Sequence, residues 1–350
     1  MVKKIRLANF RNFEDKVLSF SSKNTIIVGP NASGKTNVLE ALFLLSTGKS
    51  FKARVEEEMV KKDAEICRVK AKIDDDITLE VLLTRGGLRS ENIVKPVPRK
   101  RLLINDIGKR LLDFAGSFKV VLFSPEDLSL ITESPSVRRK FLDTALSQVD
   151  REYRRSLIAY EKGLRRRNKL LFRIREEGIS RTLLTFWDKL IIKNGDYLSS
   201  KREEFVDFIN GSSWIGTQFE IVYDKSGISE ARLAQYAHEE VAAATTLVGP
   251  HRDDIVFTVK NGKDPYRELA PYGSRGEQRM GVLWAKIAEV NYIERITGQK
   301  PTLLLDDIFS ELDHEHRDLV LEVAEGTQTI ITTADPHFVV DLAGVERIEL

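Results

Sequence analysis

Gly29 to Thr36 reads GPNASGKT, and two carboxylates, Asp306 and Asp307, stand side by side near the other end of the chain. The first spacing is one that holds phosphate. A loop of small residues lets successive backbone N–H groups turn inward on anionic oxygens, and a helix starting where the loop ends adds unpaired donors and the positive end of its dipole. Gly29, Pro30, Asn31, Ala32, Ser33 and Gly34 are the expected loop, with Lys35 reaching the β and γ phosphates and Thr36 offering its hydroxyl to Mg²⁺. Asp306 is placed to hold the same Mg²⁺ through its water shell. Asp307 faces the other way if strand geometry persists, and there it can order an attacking water. ATP and Mg²⁺ are the expected ligands, and Asp307, Asp306 and Lys35 the expected catalytic groups.

Such residues must be carried by particular elements. Thr25, Ile26, Ile27 and Val28 read as a short buried strand running into the loop, and Val38, Leu39, Leu42, Phe43 and Leu45 give the following helix one apolar side. Leu303, Leu304 and Leu305 read as a second buried strand, which delivers Asp306 and Asp307 at its carboxyl end, where open α/β sheets bind ligands. A third motif, YGSRGEQR over Tyr272 to Arg279, precedes helical periodicity at Val282, Leu283, Ala285, Lys286, Ile287 and Val290. Ser274 to Gln278 therefore sits at a helix start, where free N–H groups suit an anion.

At 350 residues the chain has room for two domains or for one large domain with an insertion. Its single cysteine, Cys67, excludes an internal disulfide and suits a reducing cytosol. The amino-terminal MVKKIRLANF lacks the apolar stretch of a secretory signal, and no run approaches a membrane span, so a soluble cytoplasmic protein without a membrane partner is expected. A net charge of +2 decides nothing about partners; its distribution matters more.

The YGSRGEQR stretch resembles the signature loop of ABC-type ATPases in the form used by their DNA-repair branch, with Ser274, Gly276 and Gln278 at the matching positions. This resemblance implies that the loop meets the γ-phosphate of ATP held by an opposite subunit, so ATP drives homodimerisation. Ser310 to Asp313, SELD, resembles the loop that follows the acidic strand along that dimer contact, with Asp313 as its acid. Three further segments resemble the RecF family of bacterial recombination mediators: Asn9 to Phe13 in the amino-terminal run, Pro125 to Asp143 (PEDLSLITESPSVRRKFLD), and Gly249 to Asp254 (GPHRDD). Glu133 and Lys52 depart from that family's usual Gly and Arg. ABC ATPases at large carry Glu where this chain has Asp307, and a His on a later strand that here ends at Ala334, with His337 three residues on. Slow hydrolysis is the expected consequence. Family membership further implies DNA as ligand, duplex that is gapped or carries single-strand/double-strand junctions. The implied partners are RecR and RecO mediators, and the implied roles recombinase loading, replication-fork maintenance and SOS induction.

From Val137 to Ile174 apolar residues recur mostly every fourth position, which predicts one bent helix or two in series. The polar face is rich in cations, among them Arg138, Arg139, Arg154, Arg155, Arg165, Arg166 and Arg167, with acids too few to pair them all. Such a face can neutralise a row of DNA phosphates. The competing reading is a solvated helix surface. No aromatic row is interleaved, so backbone contact is expected over base stacking. GPHRDD has two open readings, a structural junction or a nucleotide or DNA contact.

The expected architecture is α/β: an ABC-type P-loop ATPase head, a mixed sheet with flanking helices, formed by residues 1–135 and 246–350. A helix-rich lobe, 136–245, interrupts it. Without sustained heptads no long coiled coil is expected. An SMC-like or nuclease-associated ATPase of another DNA-processing system is the alternative, though little chain follows Asp313 to hold a nuclease domain. A transporter ATPase subunit would place the phosphate and signature loops much closer together.

Overall fold

The computed structural model describes residues 1–74, 76–90, 93–212, 218–260, 265–310, 314–334 and 345–350. The chain forms two compact units, one of residues 1–127 with 293–350 and one of residues 128–292. These limits differ from the expected 136 and 245. The strand Asp254–Lys260 pairs with Gln218–Asp224, and Trp284, Ala288 and Tyr292 pack with Phe141 and Phe205, so residues after 245 complete the second unit's core. Composition along the chain does not register such long-range packing.

In the first unit the two larger sheets separate parallel from antiparallel strands, and a two-stranded hairpin, Gly87–Ser90 with Ile93–Pro96, stands apart from both. Five parallel strands lie in the order Val120–Phe123, Thr302–Asp306, Thr329–Thr333, Asn24–Val28, Val345–Glu349. Thr302–Asp306 and Thr329–Thr333 are buried along their whole length. Such runs suit strands covered on both faces. The antiparallel sheet has six strands, in the order Phe13–Ser19, Val2–Phe10, Ile66–Ile73, Ile77–Thr84, Lys100–Ile104, Ile107–Lys109. Its strands alternate, with Ile5, Leu7, Val69, Ala71 and Val81 buried in the same core as the phosphate-loop helix Lys35–Thr47. The first two strands form a hairpin whose turn is Arg11 and Asn12. Arg11 adopts a φ of 52°, the left-handed twist that a tight hairpin turn asks for.

The second unit is mainly helical. Two helices in series, Pro135–Val149 and Arg151–Glu177, replace the single apolar periodicity of the sequence. Asp150 separates them because its carboxylate accepts from the N–H groups of Glu152 (2.8 Å) and Tyr153 (3.0 Å), capping the second helix. Helix Thr185–Asn210 returns antiparallel to it, as the contacts of Arg202 with Tyr153 and of Asp188 with Arg167 require. Gly163 permits the close approach, since a Cβ there would lie 2.5 Å from Leu190. These helices are 27 and 26 residues long, well short of a coiled-coil arm. Among the described residues no helix is long and apolar enough to cross a membrane.

Candidate nucleotide site

Strand Asn24–Val28 runs into the phosphate loop, and helix Lys35–Thr47 begins directly behind it. Gly34 has a φ of 108°, and a Cβ there would lie 2.7 Å from both Asn12 Nδ2 and Phe13 Cζ, so only glycine fits without displacement. Ala32 also holds a positive φ, 67°. A non-glycine residue keeps that conformation only where its surroundings enforce it. Part of the enforcement comes from Asn12, whose amide donates to Ser33 O (2.9 Å) while its carbonyl accepts from Asn37 (2.8 Å). One turn further along the helix, buried Glu40 accepts from Arg11 at 2.6 and 2.8 Å and also from the Ser50 hydroxyl. The hairpin turn is thereby bolted to the phosphate-loop helix.

Lys35 Nζ donates to Gly29 O (2.7 Å) and Pro30 O (3.0 Å), which folds the ammonium over the loop. Ser33 Oγ is buried and has no hydrogen-bond partner among the described residues. An unsatisfied buried hydroxyl costs about 1–3 kcal/mol, which a phosphate oxygen at the loop would recover. The residues present fit a polyphosphate.

Asp306 ends the strand Thr302–Asp306, and its Oδ1 accepts from Thr36 Oγ1 (3.0 Å) and from Thr332 Oγ1 (2.6 Å). Parallel register explains the second contact, since Thr332 lies opposite Asp306 on the intervening strand. Burial raises the Asp306 pKa, while the bonds from Thr332 and Thr36 oppose that rise. Among the described residues no three His, Cys, Asp or Glu side chains cluster as a metal cage. A Mg²⁺ site does not need one, because that ion keeps its waters and takes phosphate oxygens besides one or two carboxylates. Thr36 and Asp306 are the residues that would hold it. Asp307 corrects one expectation. The strand stops at Asp306 and Asp307 takes a left-handed φ of 50°, its N–H donating to Thr332 O (3.0 Å), so strand alternation does not set its direction.

In the second unit Ser274 precedes helix Arg275–Thr297, as the sequence predicts. Its hydroxyl accepts from Glu277 N (3.2 Å), and its own N–H donates to the Glu277 carboxylate (2.8 Å). This reciprocal capping box fixes the helix start. Ser274, Arg275 and Gly276 are exposed. Gln278 is not: it is buried, and its amide donates to Leu269 O (2.9 Å) and Ala270 O (3.3 Å), holding the preceding turn. Asp313 and His337 lie outside the described residues.

Several arginines assigned to DNA face inward. Arg138 forms a two-bond pair with Asp254 (2.6 and 2.9 Å), and Arg139 donates to Asp253 O (2.7 Å). Arg167 is only 2% exposed and binds Asp188 (2.7 Å), Glu240 (2.6 Å) and Thr246 (2.9 Å). Arg154 donates to Ser147 O and Arg155 pairs with Glu152, while Arg165 lies 4.0 Å from Glu161. Arg166 is exposed. The acids thus suffice for much of the pairing, some coming from the same helix and some from distant segments.

Within the second unit, residues of GPHRDD tie several elements together, while Arg252 is exposed. Fully buried Asp253 accepts from Arg202 (2.9 Å), Tyr223 and the Ser226 N–H (2.8 Å), and Arg202 also donates to Asp143 (2.8 Å) and Pro250 O (2.7 Å). His251 bonds Tyr160 through Nδ1 (2.7 Å) and Thr246 O through Nε2 (3.0 Å). Burial pushes the imidazole down to about 4, against the pull of the Thr246 carbonyl. Gly249, at a φ of 122°, leaves the Tyr160 hydroxyl the space a Cβ would fill.

Two contributors escape sequence reasoning. Thr332 shows only as the pair of threonines closing a β-branched run, and Asn12 only as a polar residue in a turn.

Fold and site together define a class, the ATP-binding heads of the SMC kind, and the family described as RecF/RecN/SMC N terminal domain matches residues 1–348. Within it, the chain belongs to the RecF family of DNA replication and repair proteins. It is 38% identical over 367 aligned residues to the DNA replication and repair protein RecF of Lachnoclostridium phytofermentans, covering 99% of this chain and 97% of that one. A solved structure of the recombination mediator protein RecF-ATPrS in the RecFOR pathway matches with a TM-score of 0.86 at 31% identity, over 100% of this chain and 96% of that one. The corresponding RecF-ATP structure gives 0.82 at 32%, over 95% and 93%.

Proposed function

We propose that this chain is an ATP-switched DNA clamp of recombinational gap repair. The observation that carries the reading is the Thr36–Asp306 contact, which joins the phosphate loop to the acidic strand at the carboxyl end of the parallel sheet. Lys35 and the loop amides bind the β and γ phosphates, with Mg²⁺ held by Thr36 and Asp306 to neutralise phosphate charge. Asp307 orders the attacking water. Ser274 and Gly276, exposed at a capped helix start, meet the γ-phosphate held by a second copy, so two ATP molecules close two heads around duplex DNA near gaps and junctions. Gln278 supports that turn from within. Hydrolysis resets the clamp slowly, acting as a timer, and RecR- and RecO-type mediators use the closed state to load recombinase in the cytoplasm. Support comes from the RecF relatives, whose solved forms carry ATP and ATPrS.

Sedimentation with ATP or ADP, with and without gapped duplex, tests the switch. Wild type should dimerise with ATP and not ADP, while Lys35→Met and Ser274→Arg stay monomeric. Equal masses in every nucleotide state would remove the switch, and steady-state turnover of tens per second would remove the timer.

A further inference from the structure

The outward face of the antiparallel sheet is strongly cationic. On strands Val2–Phe10, Ile66–Ile73 and Lys100–Ile104 the residues Ile5, Leu7, Val69, Ala71 and Leu102 are buried, so the alternate positions turn away from the core. Those positions are Lys4, Arg6, Arg68, Lys70, Lys72 and Arg101. Register makes them one surface: Lys4 lies opposite Lys72, Arg6 opposite Lys70, and Leu82 carries the row on from Arg68 to Arg101. Along strand Ile66–Ile73 the cations recur roughly every 6.6 Å, at the usual rise per residue, with the neighbouring strand about 4.8 Å away.

Like charges placed directly opposite on adjacent strands destabilise a sheet. Acids offset some of them: Arg6 pairs with Asp15 (2.8 Å), Arg68 with Glu80 (3.0 Å), and Lys70 with Glu80 (3.3 Å) and Asp106 (2.8 Å). Among the described residues, exposed Lys4, Lys72 and Arg101 have no such acid. A sheet shaped for stability alone would not oppose Lys4 to Lys72. We infer that this face is where the phosphate backbone of duplex DNA lies, an inference that rests on the DNA-clamp reading above.

A nucleic acid fits this face better than an acidic protein does. Protein interfaces draw their affinity from aromatic and other desolvated anchors. The other outward residues here include Ala8, Val17, Thr78, Leu82 and Leu103, with no aromatic ring among them. Phosphate contact needs only cations in rows, and it reads no sequence. The helical arginines are poorer candidates, because Arg138, Arg139 and Arg167 are engaged inside the second unit.

The test is fluorescence anisotropy of a labelled gapped duplex with the full chain and ATP, across a salt series. K4Q/K72Q/R101Q removes three phosphate contacts and should lower the log–log salt slope by about 2.7, with more than tenfold weaker binding at moderate salt. K4R/K72R/R101K should keep the wild-type slope, which separates charge from folding. R165Q/R166Q/K169Q on the helix should leave the slope near wild type. An unchanged slope in the glutamine variant overturns the inference while leaving the clamp reading intact, as does loss of binding in the charge-conserving variant. Wild type that binds no duplex ends both; wild type captured by polyglutamate and not by DNA ends both and points to an acidic protein.

Discussion

Thr36 Oγ1 donates to Asp306 Oδ1 at 3.0 Å across 270 residues of chain. Asp306 ends its own strand, and Thr36 stands in the first turn of the helix that follows strand Asn24–Val28; the parallel sheet sets those two strands on either side of Thr329–Thr333. Thr332 then fills the gap, donating to the same carboxylate oxygen at 2.6 Å.

Burial makes the ionised Asp306 carboxylate costly. Its pKa is raised by burial first, so the stability it contributes is present below the unfolded carboxylate value and is lost as pH rises through the folded one. Asp306→Asn should melt above wild type at pH 7 in nucleotide-free, Mg²⁺-free buffer, with the gap closing toward pH 4. The same variant and Thr36→Ala should lose at least tenfold of the Mg²⁺-dependent tightening of ATP binding. Thermal melts across pH and nucleotide titrations with and without Mg²⁺ check both, and an Asp306→Asn protein less stable than wild type at pH 7 would contradict the sign.

Asn12 steadies the loop through Ser33 and Asn37. Its bonds to Ser33 O and Asn37 are worth about 1 kcal/mol each in stability. Asn12→Ala should weaken ATP binding roughly tenfold through the loop's lost preorganisation, while urea unfolding shifts by only about 1–2 kcal/mol. Unchanged nucleotide affinity by equilibrium titration would leave Asn12 a turn residue and nothing more.

Arg167 is a buried partner. Glu240 beside it is 1% exposed, so Arg167→Ala strands a carboxylate in the core and should cost about 3–5 kcal/mol in chemical denaturation. Replacing both by Met and Leu should recover much of that loss. A mild single-variant effect would mean that water reaches Glu240.

His251 predicts acid sensitivity. Its folded value near 4 lies below the unfolded 6.5, so the neutral imidazole's stabilisation is present above 6.5 and drains as pH falls toward 4. The urea midpoint should decline across that window with a slope of up to about 1.4 kcal/mol per pH unit. His251→Asn should flatten it, and a slope that survives the substitution assigns the sensitivity to other groups.

Parts of the molecule were legible because their information is local. GPNASGKT, the Leu303 to Asp306 run and the helix start at Ser274 each show in a few consecutive residues, since loop, strand end and helix start are decided by neighbours. Arg167 reads as a DNA-facing cation by charge alone, yet it falls in the seven-residue series Tyr153, Tyr160, Arg167, Ile174, all on the buried side of one helix. Glu240, which makes its burial tolerable, lies 73 residues away.

The sequence by itself determined the phosphate loop, the acidic strand, the helix start at Ser274 and the RecF family, because each rests on residue types at short spacing. Only the tertiary structure decided which arginines are consumed inside, that GPHRDD ties the second unit together, that Thr332 shares Asp306 with Thr36, and that cations from three strands form one face. Those facts depend on strand register and on partners far along the chain, and neither is encoded in any local run of residues.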